Sequence, residues 1–511
     1  MKLNLISDPW IPVATPGGYR RIRPTEIISS AAKGPASPRP DFDAALYEII
    51  IGLYQTVLAP KSEISWEGMF DKPPSEAELA SKFAPFSNAF ELTSSRQPFL
   101  QETGLEGAAE PISGLLIDTP GDATIDDNKD LFIRRRPEAF ICGPCTALAL
   151  FTLQSFSPAG GRGNMTSIRG GGPISTLILG DDLWETVWLN VLPAEAWTVG
   201  PGKPEPALFP WMNTPDPSKG KRSKLTSTEV APGHVFWGMP RRILLGSPRG
   251  ARQCVLCGEL NWGFTEFISR PYGFDYHGSW IHPLSPTQEV KGTISARKGR
   301  SDLGAYRHWI GLVGNSDDGS RRPALSVHHY RSSPARRFAA PHARLRAAGY
   351  AMDNAKVEGW YEGTVGDVIP GDDGTRARVD HHAQHLIAAT DVAARSLKDA
   401  YKGAWYGQLD VKGDLSFLSQ ALWTRTEGAF YSSLRKVASQ SHVSMIERAA
   451  WFHRVVAETR RAFRERVQYT RLGDIDPKQV VQAEARLEAK LSKELPKVLD
   501  LSAEHTQGRM S

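Results

Sequence analysis

Hydrophobic and polar positions divide the chain into two textures. Up to about Pro370, short apolar runs such as Leu177-Ile178-Leu179 and Trp188-Leu189-Asn190-Val191-Leu192 alternate with Gly, Pro, Asn and Asp. That pattern predicts strands and short helices joined by many loops. The main exception is Asp41 to Leu58, where Ala44, Leu46, Ile49, Leu53 and Val57 recur at helical spacing until Pro60 stops the helix. After Asp380, Gly and Pro thin out and four stretches carry helical periodicity: His381 to Tyr406, Leu415 to Gln440, Val443 to Tyr469 and Pro477 to Leu495. In the third, Met445, Ala449, Phe452, Val456, Phe463 and Val467 predict one apolar stripe. The expected fold is α+β, with a large mixed α/β domain over residues 1–370 and a four-helix bundle over 371–511. Pro201 to Gly220, with six prolines, and Gly359 to Gly374, rich in Gly and Asp, are expected as surface loop or linker, the second marking the boundary. No internal repeat of solenoid length occurs.

Composition narrows the class. Hydrophobic residues make up 41% and charged residues 23% of 511, the balance of a folded globular protein. No run approaches the roughly 18 to 20 apolar residues of a membrane span. Asp8, Pro9 and Trp10 stand where a signal peptide would carry its apolar run, so the expectation is a cytoplasmic protein with no membrane partner. The net charge of +5 permits an anionic partner without requiring one.

All four cysteines fall into two pairs, Cys142-Gly-Pro-Cys145 and Cys254-Val-Leu-Cys257. Each C-x-x-C can form a tight knuckle presenting two thiolates to one ion, and four sulfurs close a tetrahedral zinc shell with no position left for catalysis. The 108 residues between the pairs exceed the spacing of a compact zinc ribbon, so a structural zinc would clamp two distant segments. Without an export signal a disulfide framework is disfavoured, and neither pair opens a thioredoxin-like unit.

Three motifs together resemble one family: Asn4-Leu-Ile-Ser-Asp-Pro-Trp10-Ile-Pro-Val13, Cys142-Gly-Pro-Cys145-Thr-Ala-Leu-Ala-Leu-Phe151, and Gly160-Gly-Arg-Gly-Asn-Met-Thr-Ser-Ile-Arg-Gly-Gly-Gly172 before Pro173. They look like the large subunit (CasA) of the type I-E CRISPR surveillance complex, Cascade. Trp280-Ile-His-Pro-Leu-Ser-Pro286 and the second Cys pair add to the likeness, while the helical C-terminus matches in architecture alone. The resemblance implies a noncatalytic subunit that works with CasB, CasC, CasD, CasE and guide RNA. It would read the protospacer-adjacent motif (PAM) of double-stranded target DNA from the minor groove, help open the duplex, and recruit a helicase-nuclease. Target sequence itself is then read by the guide RNA.

By the same resemblance, the glycine loop against the PAM corresponds to Ala159 to Asn164, with Gly160, Gly161, Arg162, Gly163 and Asn164 as candidate contacts. Glycine suits that task because backbone without Cβ can approach base edges. Arg162 departs from an all-glycine loop. The family's wedge, which follows a Gly-Tyr pair, falls after Gly349-Tyr350 and gives Asp353, Asn354 and Ala355. Asn354 stands where a Gln is familiar, about one methylene shorter in reach, and Asp353 would repel phosphate. The family's basic finger has one basic candidate here, Arg270. Phe132, with Arg134, Arg135 and Arg136 beside it, falls where the family meets guide RNA and a neighbouring subunit. Lys291 to Arg300 and Arg331 to Arg346 would suit a path along DNA, and the arginine surplus of the third helix could hold a displaced strand.

Two other functions compete. Asp380-His381-His382-Ala-Gln-His385 places His381 and His385 four apart, as metal ligands of a hydrolase acting on nucleic acid could be, with no Glu in the His-Glu-x-x-His slot. A helix start capped by Asp380 is the plainer reading. A zinc-stabilised RNA-binding scaffold would share the cysteines and the basic patches. No Walker A motif occurs.

Overall fold

The computed structural model describes residues 1–128, 138–160, 163–197, 202–212, 224–302, 306–341, 343–353, 356–406, 415–440, 445–468 and 476–502. The fold is α+β and divides into two compact units, one of Met1–Leu303 with Pro323–Thr364 and the other of Gly304–Arg322 with Val365–Ser511.

In the first unit, β1 (Ile11–Thr15) and β2 (Gly18–Ile22) pair as an antiparallel hairpin. The opening motif serves this corner: the Asn4 side chain receives the Ile6 amide and donates to Ser87, and buried Trp10 donates its indole N–H to the Leu5 carbonyl at 2.7 Å. Helix α1 (Pro40–Leu58) starts with Pro in its first turn, where the missing N–H costs nothing, and with Asp41 and Asp43 beside the positive end of the helix dipole. Every residue from Ala44 to Leu58 is buried, so this is the central helix of the unit rather than a one-faced surface helix. Next come β3 (Ile141–Cys142) and α2 (Gly143–Phe156), which packs on α1, then β4 (Ser175–Leu179), β5 (Arg242–Leu245), β6 (Arg249–Gln253), β7 (Leu260–Phe264) and β8 (Glu266–Arg270). A hairpin of β9 (Thr287–Val290) and β10 (Thr293–Ala296) precedes the long strands β11 (Arg344–Asp353) and β12 (Lys356–Val365). The sheets that matter below run β3-β7-β6 and β12-β11-β4.

The stretch from Gly359, expected as loop, is strand as far as Val365. Aromatic packing outweighs its glycines and holds the strand: the Trp360 ring meets Tyr350 edge-on at 4.9 Å and Phe156 at 5.7 Å.

The second unit is built on α3 (Asp373–Tyr406), α4 (Ser416–Ala438), α5 (Met445–Gln468) and α6 (Pro477–Val498), with α3 packed against each of the others in a four-helix bundle. Asp476 caps α6 by accepting the Lys478 amide. Residues of the 304–322 segment enter this core. Tyr306 stacks on Phe430 at 4.3 Å, and its hydroxyl meets Thr390 and Thr426.

Three expectations for the bundle change. Helix α3 begins eight residues earlier than its periodicity suggested, and Asp372 caps it by accepting the Thr375 amide at 2.7 Å. Asp380 lies inside the helix, buried, and accepts the Asn315 amide, so it is not the cap. The buried face of α5 runs through Arg448, Trp451, Phe452, Val455, Thr459, Ala462 and Phe463, rotated from the expected stripe because Arg448 is buried with its charge satisfied by Asp500 and the Leu499 carbonyl. The arginine surplus of α5 is also largely paired: Arg460 with Glu488, Arg464 with Glu484, Arg461 with Glu465. Two of those partners, Glu488 and Glu484, belong to α6. No single helix among the described residues is long and apolar enough to cross a membrane.

Candidate nucleic-acid interface and metal centre

Strand register brings the two cysteine pairs together. Cys142 ends β3 and caps α2, which puts Cys145 in the first turn of that helix. Cys254 to Cys257 form the turn between β6 and β7, and β7 pairs with β3 so that Gly263 lies opposite Cys142. A Cβ at Gly263 would stand 2.1 Å from the Ile141 carbonyl oxygen, so a side chain here would force the strands apart. The knuckle is closed by Cys254 N–H to the Glu259 carbonyl and Gly258 N–H to the Cys254 carbonyl.

All four sulfurs lie within 4.8 Å of one another, and Cys142 Sγ is 3.7 Å from Cys257 Sγ. Sulfurs placed tetrahedrally at about 2.3 Å from one ion stand about 3.8 Å apart, so the donor set and spacing fit a closed structural site. Three of the cysteines are buried and Cys257 is half-buried. Hydrogen bonding with Cys142 draws the Cys257 thiol below the usual thiol range and pushes that of Cys145 above it. Arg21, ion-paired to Glu259 at 2.9 Å, also reaches Cys257 Sγ at 4.0 Å. Among the described residues these sulfurs are the one set of three or more His, Cys, Asp or Glu ligand atoms so closely gathered.

The glycine-rich segment is anchored at its base. On the leading side, Arg241 donates to the Pro158 carbonyl at 2.5 Å and the Ser157 hydroxyl at 3.3 Å; burial holds its guanidinium down to about 10. On the returning side, buried Arg169 makes a two-point ion pair with Glu48 of α1, at 3.0 and 2.7 Å, and also donates to Ser175 and Ser285. Gly163, at φ +83, accepts the Tyr272 amide at 2.7 Å, and a Cβ there would meet Pro271 at 2.5 Å. Gly160 is different, because a Cβ there would meet nothing within 4 Å. Asn164 is exposed.

The end of this segment is fastened to the strand that leads to residues 353–355. Gly172 O accepts the Gly299 amide at 2.8 Å, Gly299 bridges to Ala351, and a Cβ on Gly172 would lie 2.4 Å from the Tyr350 carbonyl oxygen. Tyr350 is buried in β11 and donates its hydroxyl to Asp41 at 2.5 Å, so the Gly-Tyr pair is an anchor inside the sheet. Lys298 Nζ stands over Gly170, close enough that a Cβ there would be 2.2 Å away. Asp353, exposed, ends β11.

Other expected site residues are placed as follows. Arg270 ends β8, exposed, with its guanidinium against Gly107 and Pro271-Tyr272 directly after it. Gly161, Arg162, Asn354, Ala355, Phe132, Arg134, Arg135 and Arg136 lie outside the described residues. In the expected basic path, Arg331 and Arg336 are buried, which corrects their reading as surface charges. Arg336 donates to the Leu189 and Val191 carbonyls and pairs with Glu63. Sequence reasoning missed Arg169, Arg241, Tyr272 and Lys298 as supports of the glycine loop; Arg169, inside the glycine motif, and Lys298, inside the basic stretch Lys291 to Arg300, carried a local signal.

These features define an α+β protein with a four-cysteine clamp, a four-helix bundle and a glycine-rich segment fastened at its base to a long strand. The chain belongs to the family of the CRISPR-associated protein Cse1, whose model matches residues 4–462. Solved structures share the fold. CasA of Thermus thermophilus is 18% identical with a TM-score of 0.70, covering 96% of this chain and 100% of that one. Cse1 of Thermobifida fusca is 15% identical with a TM-score of 0.71, covering 98% and 99%. A chain of a CRISPR RNA-guided surveillance complex is 16% identical with a TM-score of 0.67, covering 96% and 100%.

Proposed function

We propose that this chain is the noncatalytic large subunit of a type I-E CRISPR Cascade complex, acting in the cytoplasm with CasB, CasC, CasD, CasE and guide RNA. In this reading it recognises the PAM in double-stranded target DNA, promotes duplex opening for guide pairing, and recruits the helicase-nuclease. Family membership supports the assignment to Cascade. The observation that supports the DNA-reading role is the fastening of Gly172 to Gly299 and to the strand of Tyr350, which ties the base of the glycine-rich segment to the strand that ends at Asp353. Gly160 to Asn164 would lie in the minor groove and residues 353–355 would press on the first base pair beneath it. Lys298 adds a cation at the base of the loop, where phosphate contact fixes register without reading sequence. Arg270 would add charge beside Tyr272, and Phe132, Arg134 and Arg135 would face guide RNA and a neighbouring subunit.

Cys142, Cys145, Cys254 and Cys257 would hold a zinc ion whose contribution is structural, joining β3 and α2 to the β6–β7 turn. With four protein sulfurs the ion has no open position, in keeping with a subunit that performs no chemistry. Guide-loaded complexes assembled with Gly160→Asp test the reading. Duplex binding should fall while assembly is kept, and unchanged PAM-dependent binding would refute the assigned loop.

A further inference from the structure

His381 and His385, near the start of α3, belong to neither site above, yet their rings are held as ligand rings are held. His385 Nδ1 lies 2.6 Å from the Val498 carbonyl oxygen, and His381 Nδ1 lies 2.9 Å from Asp317 Oδ2. A carbonyl and an ionised carboxylate only accept, so each Nδ1 carries hydrogen and each neutral ring keeps its lone pair on Nε2. The two Nε2 atoms then face each other at 3.2 Å. Two lone pairs at that distance repel, and a positive charge between them removes the conflict. Nitrogen ligands at about 2.0–2.1 Å from one tetrahedral ion stand about 3.3 Å apart, close to this spacing. Orientation of the far ring nitrogen by a carboxylate or backbone carbonyl is the usual support of a metal-bound histidine.

A third ligand is at hand. Asp500 Oδ2 is 3.5 Å from His385 Nε2, and the side chain is 61% exposed, so rotation can bring it onto an ion shared by both rings. Other groups around the pair have defined places. Arg448, from α5, holds Asp500 Oδ2 at 2.9 Å; Gln384 donates to Asp317 Oδ2 at 2.9 Å; and His382 turns its Nε2 to Ser433 at 2.9 Å. Two carboxylates against one guanidinium leave net negative charge to receive a cation.

We infer that His381, His385 and Asp500 bind a divalent transition-metal ion of the zinc class, with Asp317 and the Val498 carbonyl as positioning groups. The ion ties the start of α3 to the segment that follows α6 and locks that end of the bundle. Its role is mechanical.

The test uses the full chain purified with its four-cysteine site loaded, titrated with zinc chloride and followed by calorimetry, metal analysis and thermal unfolding. One further equivalent of zinc should bind and raise the unfolding temperature of the second unit. His381→Gln, at an exposed ring, and His385→Ala should each abolish that equivalent and leave the cysteine-bound ion in place. Asp317→Asn should weaken it by roughly 10- to 100-fold. Absence of the extra equivalent, or equal affinity in the histidine variants, overturns the site. Histidine-dependent stability that follows pH and ignores zinc also overturns it, since a proton would then bridge the rings.

Discussion

Gly160 and Gly163 stand three residues apart and differ in what limits them. Gly163 is tied by its left-handed backbone and by Pro271, so Gly163→Ala should destabilise the protein by about 1–3 kcal/mol. Gly160 has open space where a side chain would go, so Gly160→Asp should leave stability within about 0.5 kcal/mol and act only on what approaches the loop. Denaturant unfolding of the two variants separates these cases, and equal destabilisation would mean that Gly160 serves the fold. His234 gives a pH signature of its own. It is buried between the Ala207 carbonyl and the Tyr276 hydroxyl, and burial lowers its pKa to about 4. The unfolded chain takes up that proton near pH 6.5, so its contribution is complete above pH 6.5 and falls by about 1.4 kcal/mol per pH unit down to pH 4. The acid dependence of unfolding should lose this slope in His234→Gln.

At the scale of elements, the cysteine clamp joins a strand–helix junction to a β-turn over a long stretch of chain. Cys254→Ser, or removal of the ion by a chelator, should release the metal and destabilise the first unit by at least about 3 kcal/mol, part of the roughly 10–16 kcal/mol that zinc brings to small peptides. Metal analysis with unfolding curves measures both, and full stability without metal would reduce the cluster to four packed thiols. The C-x-x-C pairs were legible because ligand spacing is local. The pairing of Gly263 with Cys142 was not, since register is decided between strands. Local pattern also failed at β12, where Trp360 packing outweighs the glycines, and at α5, where Arg448 reads as surface yet is buried on Asp500. Asp372, not Asp380, caps α3 because the helical pattern of residues 373–380 is weak in apolar positions while their backbone continues the helix.

For the whole molecule, the α+β class, the four helices and the family were readable from texture and motifs. Assignment of residues 304–322 to the second unit was not, because Tyr306 finds its partners Phe430, Thr390 and Thr426 only in the folded core. Tyr306→Ala should therefore cost about 3–5 kcal/mol in the unfolding of the bundle unit, as large aromatic deletions do. The loop supports were illegible for the same reason: Arg241, Tyr272 and Lys298 reach the glycine segment from distant positions. What those supports hold is the proposed reading head, and one binding experiment bears on it directly. Duplexes carrying every flanking trinucleotide are presented, at fixed salt, to guide-loaded complexes assembled with and without this chain. Binding should depend on the trinucleotide only when the chain is present, and Gly160→Asp should abolish that dependence in a fully assembled complex. Selectivity that survives omission of the chain would mean that the PAM is read elsewhere.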